Sequence, residues 1–188
     1  MEKKKIQLAF LAFLSALIIG VPVSMVIQHE AVLKHGKEFR FRTAPVDPFD
    51  AFRGRYVALS IENNSVPAQK VNYRYGQEVY ASVENDPDGF AKFSAVSASA
   101  PASGDYIKCR VRHSNPGGGT VSLDVPIDRY YMEEGNAPKA ERLYMRLNRQ
   151  GKQRDAYVVV AVDRGNVLVK KLYVGGKPVE DAVREEGK

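Results

Sequence analysis

"AYVVVAVDRGNVLVKKLYV", residues 156–174, is the stretch that decides the fold. Two runs of valine, leucine and tyrosine flank Asp163, Arg164, Gly165 and Asn166. β-Branched and aromatic side chains suit a pleated, half-buried surface, and a short polar interruption carrying Asp, Gly and Asn suits a turn. The pattern predicts a β-hairpin closed by a four-residue turn. The first run, "YVVVAV", does not alternate, so its strand is expected to be covered on both faces.

Upstream the period is two. In "EFRFRT" (38–43) Phe39 and Phe41 fall on one face, Arg40 and Arg42 on the other. "QEVYASV" (77–83), "FAKFSAV" (90–96) and "DYIKCRVR" (105–112) read the same way, separated by the turn-rich "ENDPDG" and "SASAPASG". Ile107, Cys109 and Val111 share a face opposite Lys108, Arg110 and Arg112, and "NPGGGT" (115–120) leads into the hairpin partner "VSLDV". A single amphipathic helix is predicted at 137–150, "APKAERLYMRLNRQ". There Ala140, Leu143, Tyr144 and Leu147 form one stripe, Pro138 suits the first turn and Gly151 the end. The fold class is α+β and β-rich, with a mostly antiparallel domain over residues 38–188.

The N-terminus differs. "LAFLAFLSALIIGVPVSMVI" (8–27) holds no charge. Twenty residues at ~1.5 Å each span ~30 Å, the thickness of a hydrocarbon core. Lys3, Lys4 and Lys5 precede it, a flank that keeps an N-terminus in the cytoplasm. Residues 1–28 are therefore expected to be a cytoplasmic flank and membrane anchor, and 29–37, "HEAVLKHGK", a polar stalk. A cleaved signal is the alternative, but "VPVSMVIQHEA" offers no small-residue cleavage pattern. The formal charge of +6 falls to +4 without residues 1–5, too weak a balance to argue for nucleic acid. With one cysteine, Cys109, the chain forms no internal disulfide.

"PVDPFDAFRGRYVALSIE" (45–62) has its own local grammar. Asp47 is a good N-cap, Pro48 fits a first helical position, and Gly54 can end a short helix over 48–53. "RYVALSIE" should then leave as one strand, with Arg55, Val57, Leu59 and Ile61 on one face and Tyr56, Ala58 and Ser60 on the other. At Gly54, Tyr56 and Leu59 the chain resembles the GDYXXLXY family of bacterial membrane-anchored proteins. It departs from that motif at Arg55, where the family has Asp, and at Ile61, where it has Tyr. "IDRYYMEEGNAPKAER" and "AYVVVAVDRGNVLVKKLYVGGKPV" are similar to the family's distal blocks, so the resemblance covers most of residues 38–180. It implies a single-pass topology, makes a multi-pass membrane protein a plausible partner class, and carries no activity with it. An arginine at 55 excludes acid, base or metal-ligand chemistry there, since it accepts no proton and offers no lone pair. The motif residues Gly54, Arg55, Tyr56, Leu59 and Ile61 are expected to form a recognition element, capped structurally by Asp47 and Pro48. A second "GDY" at Gly104–Tyr106 reads as the start of a strand.

No catalytic constellation, metal site or cofactor motif is readable. The "SM" at Ser24–Met25 invites comparison with signal peptidases, but Ser24 lies within the apolar run, no Pro-Thr follows and no lysine base is placed by a motif. Cys109 and His113 share a strand face without a third ligand. "NPGGGT" lacks the lysine and following helix of a phosphate loop. Glu133 and Glu134 are adjacent and point to opposite faces, which prevents a carboxylate pair. Arg40, Arg42, Lys108, Arg110 and Arg112 are expected either to be a solvated face or to meet anionic lipid headgroups. The leading expectation is a non-enzymatic accessory protein in the bacterial inner membrane, N-terminus inside, presenting its domain to a membrane or envelope partner. The alternatives are a small-ligand or envelope-polymer binding module, using Tyr56, Tyr73, Tyr75 and Tyr80, and an unrecognised hydrolase.

Overall fold

The computed structural model describes residues 2–44, 56–67, 72–115, 119–133, 135–149 and 156–186. In chain order these form α1 (Glu2–His35), β1 (Lys37–Ala44), β2 (Tyr56–Ala58), β3 (Ser60–Ile61), β4 (Ser65–Pro67), β5 (Glu78–Asn85), β6 (Ala91–Ser97) and β7 (Tyr106–Asn115). There follow β8 (Thr120–Asp124), β9 (Arg129–Tyr131), α2 (Ala137–Arg149), β10 (Ala156–Asp163), β11 (Asn166–Val174), β12 (Lys177–Pro178) and α3 (Val179–Glu186). The fold is α+β and β-rich, with antiparallel pairing throughout the named strands.

Helix α1 runs unbroken through Pro22 for 34 residues, about 51 Å at ~1.5 Å per residue. It is long and apolar enough to cross a membrane, with mean hydropathy 2.5 over its most apolar window and none of that window buried against the rest of the chain. The helix does not stop at the end of the apolar run. It continues to His35, and only Gly36 intervenes before β1, so residues 29–35 are helical and Lys37 opens the first strand. Val32, 4% exposed, is the reason. Within the short apolar run Ala31–Val32–Leu33 it gains by burial, and it packs where the end of α1 meets β10 and β11.

One five-stranded sheet has the order β12-β11-β10-β1-β3, a second the order β4-β8-β7-β5-β6, and among the described residues β2 pairs with β9 as a two-stranded ribbon. The second sheet curls until its edge strands β4 and β6 lie against each other. The inward faces of both sheets merge into one apolar cluster. Phe41 from β1 meets Phe93 from β6 there, ring centres 5.3 Å apart. The alternation expected in β1, β5 and β7 is present: Phe39 and Phe41, Val79, Ala81 and Val83, and Ile107, Cys109 and Val111 are all buried. Arg42 ties the two sheets on the outside. Its guanidinium bonds Asp86 (2.9 Å) and Asp88 (3.0 Å) of the β5–β6 turn and lies 4.0 Å over the Phe90 ring. The Phe90 backbone N–H, and after it Arg42, hold the Asp86 carboxyl below its ordinary range.

The hairpin of residues 156–174 forms with a tighter turn than expected. Asp163 and Asn166 pair across it, which leaves a two-residue loop of Arg164 (φ 47°) and Gly165 (φ 86°). Positive φ at both central positions is the type I′ geometry that matches strand twist. Coverage on both faces holds only for the last part of β10. Val160, Ala161 and Val162 are all buried, whereas Tyr157 and Val159 alternate with buried neighbours. The end of α1 supplies the extra cover over Ala161, whose Cβ would lie 3.2 Å from a Cβ placed on Gly36.

On helix α2 three residues of the expected stripe, Ala140, Leu143 and Tyr144, are buried, with the Tyr144 hydroxyl donating to the Ala44 carbonyl at 2.8 Å; the Leu147 side chain lies outside the described residues. A second short helix, α3, joins it. Val179 and Val183 are its buried residues, one turn apart in a charged segment. With Ala182, that makes three apolar residues in eight, too few to read as an amphipathic helix, and packing on α2 and β11 is what orders them.

Candidate functional site

The run 56–61 is not one strand. Tyr56–Ala58 pairs with β9, while Ser60–Ile61 pairs with β1. The break falls at Leu59, whose backbone N–H donates to the Asp128 carbonyl at 2.8 Å. The expected faces hold regardless of the break. Val57, Leu59 and Ile61 are buried, and Tyr56, Ala58 and Ser60 are half-exposed. Leu59 and Ile61 therefore act as core residues and Tyr56 as the described motif residue that reaches the surface. Asp47, Pro48, Gly54 and Arg55 lie outside the described residues.

Pairing with β9 surrounds Tyr56 with chemistry that the chain brings from 75 positions away. Tyr56 sits directly opposite Tyr131, ring centres 5.8 Å apart. The Arg129 guanidinium lies 5.2 Å from the Tyr56 ring centre. Arg129 and Tyr131 share a face because they are two residues apart on a strand. A hydrogen bond to Tyr131, and then the charge of Asp128 at 3.3 Å, raise the pKa of Arg129 above its ordinary value. Between them Tyr130 points inward, 8% exposed, and its hydroxyl donates to Glu180 of α3. Burial, followed by that carboxylate, pushes the Tyr130 phenol upward. With α2 packed on β2, the two-stranded ribbon is held from behind by both helices of the domain. Tyr131 is 66% exposed, so the front of the ribbon is an open tyrosine–arginine surface. Arg129 and Tyr131 were not singled out from the sequence; their only signal was membership of the "IDRYYMEEGNAPKAER" block.

The other expected contact residues do not converge on this surface. Tyr73 is buried and bonds the Val96 carbonyl at 3.3 Å. Tyr80 lies edge-on to Tyr106, and Tyr75 projects into solvent. Nor is there a single basic face. Arg40 and Arg42 lie on one sheet and Lys108, Arg110 and Arg112 on the other. Carboxylates neutralise much of that charge, Glu78 with Lys108 (3.0 Å) and Asp124 with Arg112 (3.2 Å) besides the Arg42 pair.

A groove of about 470 Å3 lies along β7 and β8, lined in part by Glu78, Lys108, Asp124 and Asp128. Its nucleophile is Cys109, which is buried and whose thiol burial raises to about 12, so no thiolate is available near neutral pH. His113 does not join it. A register shift between Val111 and His113 turns the histidine outward while Cys109 stays in the core. Ser24 donates to the Val21 carbonyl of its own helix at 2.7 Å. The Glu133 carboxylate accepts from Asn136 at 3.0 Å, at the start of α2. Among the described residues no three His, Cys, Asp or Glu side chains are grouped as metal ligands.

The thiol supplies a direct test. Cys109 is expected to resist an aromatic disulfide reagent at pH 8 in the folded protein and to react fully after denaturation. Because the folded thiol keeps its proton to about 12 against an ordinary 9.0, the unfolded chain binds fewer protons above pH 9. Stability is therefore retained below that pH and falls as pH rises toward 12. Rapid labelling of the native protein at pH 8 would show the strand face to be open.

The sequence model for the GDYXXLXY protein family matches residues 18–172, from within α1 to β11. No curated protein and no solved structure matches the chain.

Proposed function

The chain belongs to the GDYXXLXY family, and from that premise we propose that it is a non-enzymatic accessory protein of the bacterial inner membrane. α1 anchors it, with the N-terminal lysines in the cytoplasm and the β-rich domain on the far side of the membrane. The domain displays the β2–β9 ribbon to a multi-pass membrane or envelope protein. The observation that carries the reading is the open pair Tyr56–Tyr131 with Arg129 beside it, on a ribbon braced by two helices. Tyrosine and arginine are enriched among the residues that dominate protein–protein binding, because they bury large rigid surfaces and still satisfy polar partners. A ribbon that is already rigid loses little entropy when a partner covers it. The lysine flank and uncharged run support the orientation.

Photocrosslinking from position 131 in intact membranes, followed by identification of the captured protein, tests the reading. Capture of a specific membrane or envelope protein is expected, and Arg129→Ala should lower its recovery by tenfold or more, the loss of about 1.4 kcal/mol or more at a central contact. Tyr131→Ala should leave thermal unfolding within about 0.5 kcal/mol of the parent, as for an exposed surface position. A domain that captures nothing from position 131, or that captures equally well without Arg129, removes this surface from consideration. Digestion of the domain by protease added to spheroplasts is expected; protection would reverse the topology.

A further inference from the structure

A second groove, of about 530 Å3, lies between the end of α1 and the tip of the β10–β11 hairpin. Gln28, His29 and Val32 form its helical wall, and Arg164, Asn166 and Leu168 the hairpin wall. It is built on a fixed frame. Gly165 accepts a backbone hydrogen bond from Lys108 at 2.9 Å and bridges Ile107, which pins the hairpin tip to the second sheet.

Its height above the membrane follows from α1. The uncharged run ends at Ile27, and the domain closes over the helix at Val32. Five residues advance a helix by ~7.5 Å. The polar layer on each side of a ~30 Å hydrocarbon core is ~5–7 Å deep. With α1 in a bilayer the hairpin tip consequently lies in the headgroup layer, with the apolar side chain of Leu168 in the same wall.

Arg164 is the chemistry at the lip. It is exposed and makes no ion pair among the described residues. The other groove cation, Lys108, is engaged by Glu78 at 3.0 Å, and the half-buried Asp163 disfavours an anion on the hairpin's inner side. Arg164 also occupies φ 47° in a type I′ turn, where asparagine, aspartate or glycine fit with less strain. Non-glycine residues held in such a conformation concentrate where a ligand uses them. An unpaired planar guanidinium matches a phosphate with two parallel hydrogen bonds.

We propose that this groove seats the phosphate of an anionic phospholipid headgroup, gripped by Arg164, and so sets how the domain stands on the membrane. The proposal rests on α1 spanning a bilayer and is independent of the tyrosine–arginine ribbon. The test reconstitutes the full chain in nanodiscs of phosphatidylcholine alone or of an equimolar mixture with phosphatidylglycerol. Native mass spectrometry then counts the lipids that stay bound. Phosphatidylglycerol should be enriched over its share in the disc, and Arg164→Asn should reduce that enrichment about fivefold, the effect of one basic residue at an anionic surface. Asparagine suits the turn, so this variant keeps the hairpin, while Arg164→Lys should retain part of the enrichment. No enrichment in the parent chain, or equal enrichment in Arg164→Asn, overturns the proposal. Displacement of phosphatidylglycerol by excess inorganic phosphate would show a free-anion site instead and overturn it as well. Failure of the chain to enter nanodiscs would refute the membrane span, and the groove's assignment with it; loss of ribbon crosslinking alone would leave both standing.

Discussion

Phe41→Ala is expected to cost about 3–5 kcal/mol of folding stability, the range for removing a buried phenylalanine ring. Phe41 is 1% exposed and belongs to β1, an interior strand of the first sheet between β10 and β3. Its ring meets Phe93 of β6 at 5.3 Å, so it is shared by two separate sheets, which the Ile107–Gly165 bridge links at the hairpin tip. Deleting it leaves a cavity that neither sheet can close, because each is held in register by its own hydrogen bonds. Against a typical total of about 5–15 kcal/mol, the loss takes a large fraction of the domain's stability. Denaturant unfolding of the full chain in mild detergent checks it. A midpoint shift equivalent to less than about 1 kcal/mol would mean that the sheets are joined elsewhere and that the Phe41–Phe93 contact is incidental.

The second large effect is expected at the point where helix and domain meet. A Cβ at position 36 would stand 2.4 Å from the Val32 carbonyl oxygen and 3.2 Å from both the Ala161 Cβ and the Val162 nitrogen. Two of those three neighbours are backbone and the third is a methyl group, so no flexible side chain can move aside. Gly36→Val must therefore lift the last turn of α1 from β10. The overpacking costs about 1–3 kcal/mol, and exposing Val32 forfeits up to about 1.5–3 kcal/mol more. The readout is local as well as global. Hydrogen exchange at residues 32–36 and 161–162 should accelerate in the variant, whereas the core of the second sheet, such as Val79 and Val111, should change less. Unaltered protection at the junction would show that α1 is not docked on the sheet and would free the domain to swing on its anchor.

How far each of these residues could be read in advance depends on the range of the forces that place it. The uncharged run 8–27 specifies a helix able to cross a membrane through composition alone, since every residue contributes its own transfer free energy. Phe39 and Phe41, the Ile107–Cys109–Val111 face and the Ala140–Tyr144 stripe were legible because a strand or helix period is written within a few residues. The hairpin at 156–174 was legible for the same reason, although its turn narrowed to Arg164–Gly165 once strand twist selected the tightest closure.

What the tertiary structure alone decided lies between segments far apart in the chain. Whether 56–61 runs as one strand or divides between β9 and β1 depends on which ladder offers partners, and nothing in "RYVALSIE" encodes that choice. The same pairing made Arg129 and Tyr131 neighbours of the motif tyrosine and sent Leu59 and Ile61 into the core. Carboxylates brought in by other strands or turns dispersed the basic face that strand alternation suggested. Val32, between Ala31 and Leu33, and Val183, beside Ala182, sit in apolar runs too short to set a period, and burial against a distant surface is what gave each a place. Periodicity records which way a side chain faces; the surface it meets, and hence the charge or ring beside it, is a property of the closed fold.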